Sequence, residues 1–179
     1  MKNPFVSFTF MGILMSILVS IPCCAKKSLE IDVTTVKQLN LKRFMGKWYE
    51  IARYNHWFEN NMTHVIADYS FQSNGRIRVM NKGIKNGILK EIIGKARQPH
   101  PREYPGRLEV SFFLWFYGDY YILELDKDYQ YAVIGSSTDK YLWILSRTPQ
   151  LPEETLQRIL SMLERRGYDV SKLIMVEQY

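Results

Sequence analysis

From residue 48 to residue 147 the chain alternates apolar and polar side chains in short runs broken by turn residues, the period of two that marks strands with one buried face. Trp48-Tyr49-Glu50-Ile51-Ala52-Arg53-Tyr54 is rich in strand formers and follows Gly46, which permits a tight approach; before it, Leu41-Lys42-Arg43-Phe44 reads as one helical turn. In 65–71, Val65, Ala67, Tyr69 and Phe71 alternate against Ile66, Asp68 and Ser70, and Ser73-Asn74-Gly75 turns the chain back into 76–81. Lys85-Asn86-Gly87 is a second Asn-Gly turn, leading into 88–96. A Pro-rich loop, 98–105, precedes 108–113, and 120–125, 131–135 and 141–147 complete a count of eight strands. Eight sequential antiparallel strands with short links predict an all-β, up-and-down barrel, because closure removes exposed edges and leaves an interior wide enough for one small ligand. An open sandwich is the rival architecture.

The period changes after Arg147. Over 153–166, Leu156, Ile159, Leu160 and Leu163 form one apolar stripe at helical spacing, with Glu153-Glu154 at the start, Arg165-Arg166 at the end and Gly167 as the stop. This C-terminal α-helix is expected to lay its stripe against the barrel, and 173–176 reads as a short final strand.

At the other end an uncharged run follows Lys2, with its apolar centre at 10–19, and reads as a signal peptide over 1–23. Pro22 and two cysteines close it at a length barely able to span a bilayer, which favours cleavage over a retained anchor. Cys23 and Cys24 are the only cysteines of the chain, so the domain beyond them has no internal disulfide. A cysteine just past an apolar run resembles a bacterial lipoprotein processing site. Lipidation is therefore expected at Cys24, or else at Cys23, with cleavage after Ala25 as the alternative. Residues 24–38, polar and without period, read as a tether, and 39–179 as the folded domain.

Of 179 residues, roughly 155 remain after the leader, a length that favours one domain with a sizeable core. Hydrophobic content of 46% and aromatic content of 14% argue against disorder. The net charge of +6 is mild, and the basic residues fall in short, scattered groups not interleaved with exposed aromatics, so nucleic acid is not an expected partner. Hydrolase, phosphate-loop and zinc-protease signatures are absent. His56, His64 and His100 lack metal-ligand spacing, so neither metal nor cofactor is expected. His56 and His64 with Glu59 and Asp68 could form an acid–base site, but the reading as rim and surface residues is preferred, and His56, Trp57 and Phe58 are expected at the open rim.

Gly46-Lys47-Trp48-Tyr49-Glu50-Ile51-Ala52-Arg53 resembles the lipocalin G-x-W signature in the extended form of the bacterial outer-membrane branch related to apolipoprotein D. Asp139-Lys140-Tyr141-Leu142-Trp143-Ile144-Leu145-Ser146-Arg147-Thr148-Pro149 is similar to the branch's last-strand pattern, and the resemblance covers 39–178. It implies that Arg147 lies across Trp48 at the closed end of the barrel beside Gly46, a structural and not a catalytic arrangement. It also implies a binding protein rather than an enzyme. The expected ligand is a fatty acid or lysophospholipid, the expected place the outer membrane or, without lipidation, the periplasm, and the expected membrane attachment an N-terminal lipid anchor. A homodimer is possible by resemblance alone.

Strand alternation, with Trp48 and Arg147 taken as inward by resemblance, gives the expected ligand-binding set: Trp48, Val65, Ala67, Tyr69, Phe71, Tyr121, Leu123, Trp143 and Leu145. Tyr120 and Ile122 are the alternative face of their strand, since a slip of one residue inverts the assignment. Two other readings stay open: a barrel packed solid by its aromatics and serving as an envelope interaction module, and a lipid-modifying enzyme.

Overall fold

The computed structural model describes residues 30–56 and 59–178. The expected signal peptide over 1–23, Cys23 and Cys24, and the expected rim residues Trp57 and Phe58 lie outside the described residues, as does Tyr179.

Eight strands form between the turns marked in the sequence: β1 (Gly46–Tyr54), β2 (Met62–Phe71), β3 (Ile77–Lys85), β4 (Ile88–Arg97), β5 (Arg107–Phe113), β6 (Phe116–Leu125), β7 (Tyr131–Gly135) and β8 (Leu142–Ser146). Each pairs antiparallel with the next, β8 returns to β1, and the sheet closes into a barrel. Asn86 and Gly87 both take positive φ between β3 and β4, the two-residue hairpin geometry that Asn-Gly favours. The β1–β2 loop and the β3–β4, β5–β6 and β7–β8 turns share one end, the mouth; Gly46 marks the other, the floor.

β1 is shared between two neighbours on one side. Gly46 to Tyr49 pair with β2, and Ala52 to Tyr54 pair with β9 (Leu173–Met175). The C-terminal tail fills the seam where β2 leaves β1: Val176 N–H donates to Ile51 O, His64 N–H to Glu177 O, and the Gln178 amide to the carbonyls of Glu50 and Val65.

The apolar side chains form two layers. Trp48, Ala67, Tyr69, Val79, Ile122, Ile134 and Leu145 belong to the interior cluster. Outside the barrel, α2 (Glu153–Arg165) buries Ile159 and Leu163 against a cluster that includes Ala52, Tyr54, Leu123, Val133 and Ile144. The stripe thus meets the barrel, and each fully buried Leu or Ile of this layer contributes about 1.5–3 kcal/mol by leaving water.

Residues 30–38, read from sequence as a tether, lie along the barrel instead. Val36 N–H donates to Ile122 O, Asp32 N–H to Arg166 O, and the Arg166 guanidinium donates to the carbonyls of Asp32, Thr34 and Leu123. Val36 and Leu39 pack on the interior cluster from below. Its alternation, Ile31 and Val33 against Asp32 and Thr34, is too short to stand out in the sequence, and the backbone pairing that completes the docking leaves no mark in the side-chain pattern.

The floor is built around Arg147. Its guanidinium stands 3.8 Å above the Trp48 ring and donates to the carbonyls of Lys47 (2.8 Å), Arg43 (2.8 Å), Met45 (3.0 Å) and Phe44 (3.2 Å). These carbonyls are gathered there because α1 (Leu41–Phe44) ends and β1 begins within a few residues. Gly46 makes the join at φ +91°, a conformation that strains any residue with a Cβ. Trp48 Nε1 donates to Phe44 O at 2.8 Å, and the Phe44 and Trp48 rings sit 5.0 Å apart.

Replacing Arg147 with Ala is expected to destabilise the fold by about 2–4 kcal/mol, through loss of the cation–π contact and of charge-assisted bonds to partly buried carbonyls. Arg147→Lys should recover less than half of that in urea unfolding, because one ammonium cannot reach the same carbonyls while covering the indole.

Candidate functional site

The barrel encloses a cavity of about 500 Å³ that opens at the mouth. Its apolar wall comes from alternate positions of neighbouring strands: Ala67 on β2, Val79 on β3, Val110 and Phe112 on β5, Ile134 on β7 and Leu145 on β8. An interior with this much room is at odds with the reading of a barrel packed solid.

Of the residues expected to contact a ligand, Ala67, Tyr69, Trp143 and Leu145 line the cavity. Trp48 lies below it, wholly buried in the floor. Val65 is buried beside Gly83, where its Cγ2 would stand 2.9 Å from a Cβ, and does not line the cavity. Phe71 is half exposed at the end of β2: β1 begins at Gly46, opposite Tyr69, so nothing from β1 reaches down to cover it.

Tyr121 and Leu123 need correction, since they face outward. Leu123 packs in the cluster beneath α2, with Tyr121 against it, while Tyr120 lines the cavity and Ile122 joins the interior cluster. The alternative face of β6 is the inward one. A bulge between Ile122 and Glu124 then shifts the register, so that Leu125, two residues beyond Leu123, packs inward.

The polar wall holds residues that the sequence reading left out. Glu50 follows Trp48 by two positions on β1 and therefore shares its inward face, so alternation from Trp48 identifies it. Glu59 reaches the cavity from the β1–β2 loop, where no period gives a direction. Asn81 lines the cavity from β3, its Oδ1 buried and accepting no hydrogen bond. Tyr69 and Tyr120 meet across the interior, hydroxyl to hydroxyl at 2.8 Å. Burial holds both phenols above the ordinary tyrosine range, so they stay neutral.

Glu50 and Glu59 belong to a buried cluster. Arg53 Nη1 donates to Glu50 Oε1 at 2.7 Å, and Arg53 Nη2 donates to the carbonyls of Glu59 (2.7 Å) and Met62 (3.1 Å). Glu59 Oε2 accepts from Trp143 Nε1 at 3.1 Å and lies 3.2 Å from His56 Nε2. Glu50 and Glu59 are 4% and 5% exposed, so water screens neither. Burial, with the Glu59 carboxyl nearby, pushes the Glu50 carboxyl up to about 8 against the pull of Arg53. Burial likewise raises Glu59, opposed by Trp143 and Arg53, and burial with Arg53 pushes His56 down to about 4. At pH 7, therefore, burial favours the protonated Glu50 carboxyl and the neutral His56 ring.

His56 and Glu59 thus come together, but Asp68 is on the opposite face of β2 from Ala67 and Tyr69, and the His64 ring meets its neighbour Thr63 at 2.9 Å. The four residues considered for acid–base work do not converge.

Residues 39–178 match the family model described as "Lipocalin-like domain". The chain is 41% identical over 159 residues to the outer membrane lipoprotein Blc of Escherichia coli K12, covering 87% of this chain and 88% of that protein. It is 39% identical over 156 residues to temperature-induced lipocalin-1 of Arabidopsis thaliana, covering 83% and 82%. Among solved structures it is similar to insecticyanin of the tobacco hornworm Manduca sexta, with a TM-score of 0.68 and 25% identity, covering 83% of this chain and 85% of that one.

The buried cluster makes stability depend on pH. A carboxyl held above its unfolded value of 4.5 gives the native state more protons than the unfolded chain, so Glu50's contribution falls as the pH rises from there to about 8. His56, held below its unfolded value of 6.5, acts in the opposite sense: its contribution is present above 6.5 and is lost as the pH falls toward 4. The two oppose each other below pH 6.5, which leaves the range from 6.5 to 8 to the carboxyls. The urea midpoint is expected to fall across that range, and Glu50→Gln to reduce the slope. A slope unchanged in the variant would mean that Glu50 does not titrate there.

Proposed function

The chain belongs to the lipocalin family, and from that membership we propose that it holds one small hydrophobic ligand, a fatty acid or lysophospholipid, inside the barrel. Lipocalins are generally binding and transport proteins rather than enzymes, and the proposed work is storage or transport. One observation carries the reading: the closed floor, the open mouth and the cavity of about 500 Å³ between them, within the range of roughly 300–1,000 Å³ usual for small-molecule sites. Val79, Ile134 and Leu145 offer an acyl chain an apolar wall, and each methylene withdrawn from water contributes about 0.8 kcal/mol. A tail entering from the mouth would stop above Trp48, which closes the cavity from below. Ala67, Tyr69, Trp143 and Leu145 are the proposed contacts from the original set, joined by Val79, Val110, Phe112, Tyr120 and Ile134.

The protein works in the cell envelope in this reading, as an outer-membrane lipoprotein like the Blc proteins it resembles. Anchoring through acylated Cys24, or Cys23, would hold the barrel at the membrane that supplies its ligand.

The neutral probe N-phenyl-1-naphthylamine should fluoresce in the delipidated protein and be displaced by palmitate or a one-chain palmitoyl phospholipid at about one equivalent. Val79→Trp, which fills the cavity from its wall, should weaken both probe and lipid at least about tenfold while the circular dichroism spectrum stays that of the parent. Lipid binding undiminished in a folded Val79→Trp protein would place the ligand elsewhere.

A further inference from the structure

We infer that two hairpin tips on one side of the mouth form a membrane-docking surface, which dips into the acyl layer of an anionic phospholipid bilayer and holds the open barrel against it. This goes beyond the carrier reading, since it names the surface from which a ligand would be loaded.

The exposed apolar side chains are gathered at those tips. Ile88, Leu89, Ile92 and Ile93 are exposed on β4, next to the β3–β4 turn. Phe113, Leu114, Trp115 and Phe116 surround the β5–β6 turn and are between 59% and 73% exposed. Patches of this kind mark interaction sites, with a protein or with a membrane. The barrel wall is split between the two tips: β4 pairs with β5 only from Lys95 to Arg97, so along Ile88 to Gly94 β3 is its one partner among the described residues.

Geometry favours lipid over a protein partner. Adjacent residues of a strand point to opposite faces, so Ile88 with Leu89, and Ile92 with Ile93, expose apolar groups on both faces of β4 at once. A folded partner covers one face of such a ribbon, whereas a fluid acyl layer covers both. The second tip has the same property. Four successive large apolar residues around a turn, with Leu114 at φ +50°, cannot share one face.

The charges suit an anionic headgroup layer. Residues 110–118 carry no charged side chain. Lys82, Lys85 and Lys90 flank the first tip against Glu91 alone, and none of the three lysines is in an ion pair among the described residues. A lysine in that position lays its stem along the acyl boundary and leaves its ammonium among the phosphates. Trp115 supplies the indole that prefers the same boundary.

Two further features set the orientation. Phe112 and Gly118 bracket the second tip and line the cavity, so a chain leaving the bilayer beside that tip meets the apolar wall without crossing open water. The start of the described chain points the same way. Glu30 lies against Gly167 beyond α2, and the Tyr168 hydroxyl stands beside Gly135 at the mouth end of β7. Cys24 is six positions earlier, a reach of at most about 20 Å, so a lipid anchor there pulls from the mouth half and not from the floor.

Trp115 reports its own depth. The processed protein is mixed with phosphatidylethanolamine–phosphatidylglycerol vesicles, with or without phospholipid brominated along its acyl chains, and the Trp115 signal is taken as the difference between parent and Trp115→Phe. Bromolipid is expected to quench at least about half of that signal. Phe113→Ser with Phe116→Ser should cut the quenching at least about threefold while N-phenyl-1-naphthylamine binds in solution as in the parent, and Lys85→Glu with Lys90→Glu should cut it at least about twofold. Trp115 left unquenched while the protein floats with the vesicles overturns the surface, because an anchor alone then holds the barrel. Quenching undiminished in the serine variant overturns it as well, and quenching unchanged by charge reversal and equal on phosphatidylcholine overturns the anionic partner. Tips buried in a second copy, seen as concentration-dependent sedimentation with no quenching, also count against it. Failure of the parent to bind N-phenyl-1-naphthylamine strikes the carrier reading alone, since the quenching does not depend on a filled cavity.

Discussion

A barrel becomes a container when one end is shut, and here a single guanidinium does the shutting. Where α1 gives way to β1, the carbonyls of Arg43, Phe44, Met45 and Lys47 converge on the space beneath the barrel. Arg147 answers all four while its flat face covers Trp48, something a compact ammonium cannot do. The positive φ of Gly46 lets the chain turn from helix to strand under that cover. Because Trp48 is thereby fixed on the inside, Glu50, two positions on, faces inward with it. The position of Glu50 in the cavity wall is a consequence of the floor.

The next step along β1 breaks the alternation and in doing so assembles the polar cluster. A regular strand with Trp48 and Glu50 inward would turn Ala52 inward and Arg53 outward. The bulge between Glu50 and Ala52 leaves Ile51 and Ala52 both in the outer cluster near α2 and brings the Arg53 guanidinium back to Glu50. The same irregularity accompanies the change of partner, where β1 lets go of β2 and takes up β9. The departing β2 leaves room for the β1–β2 loop to bring Glu59 over the cavity, and the C-terminal tail closes the seam behind it.

These irregularities mark where sequence reading succeeds and where it stops. The strand count, the Asn-Gly hairpin and the helix after Arg147 follow from periods and turn chemistry that act locally, and the G-x-W and last-strand patterns point to the floor pair. Ala67, Tyr69, Trp143 and Leu145 line the cavity from stretches that keep strict alternation. The placement of Leu123 and Leu125 on opposite faces comes from a bulge that leaves no mark in the hydrophobic pattern, because an apolar cluster lies on each side of β6 to receive a leucine. Val65 sits next to another irregularity, between Thr63 and Ile66, where His64 takes φ +53°. The docking of residues 30–38 shows only a brief alternation, Ile31 and Val33 against Asp32 and Thr34, too short to separate a docked segment from a tether.

The two apolar layers explain how the cavity can afford charged walls. Fold stability draws on the floor and on the outer layer beneath α2, both apart from Glu50, Arg53 and Glu59. A buried ion pair is a weak source of stability, since desolvation offsets most of the Coulombic gain, and an apolar cluster of equal volume would hold the upper barrel at least as well. Such a cluster would also shut out any polar group entering from the mouth. What Glu50, Glu59 and Arg53 provide is a polar wall at the upper end of the cavity, where apolar packing would leave none. The polar wall toward the mouth is therefore separated from the apolar wall below it, and the first can vary without disturbing the second.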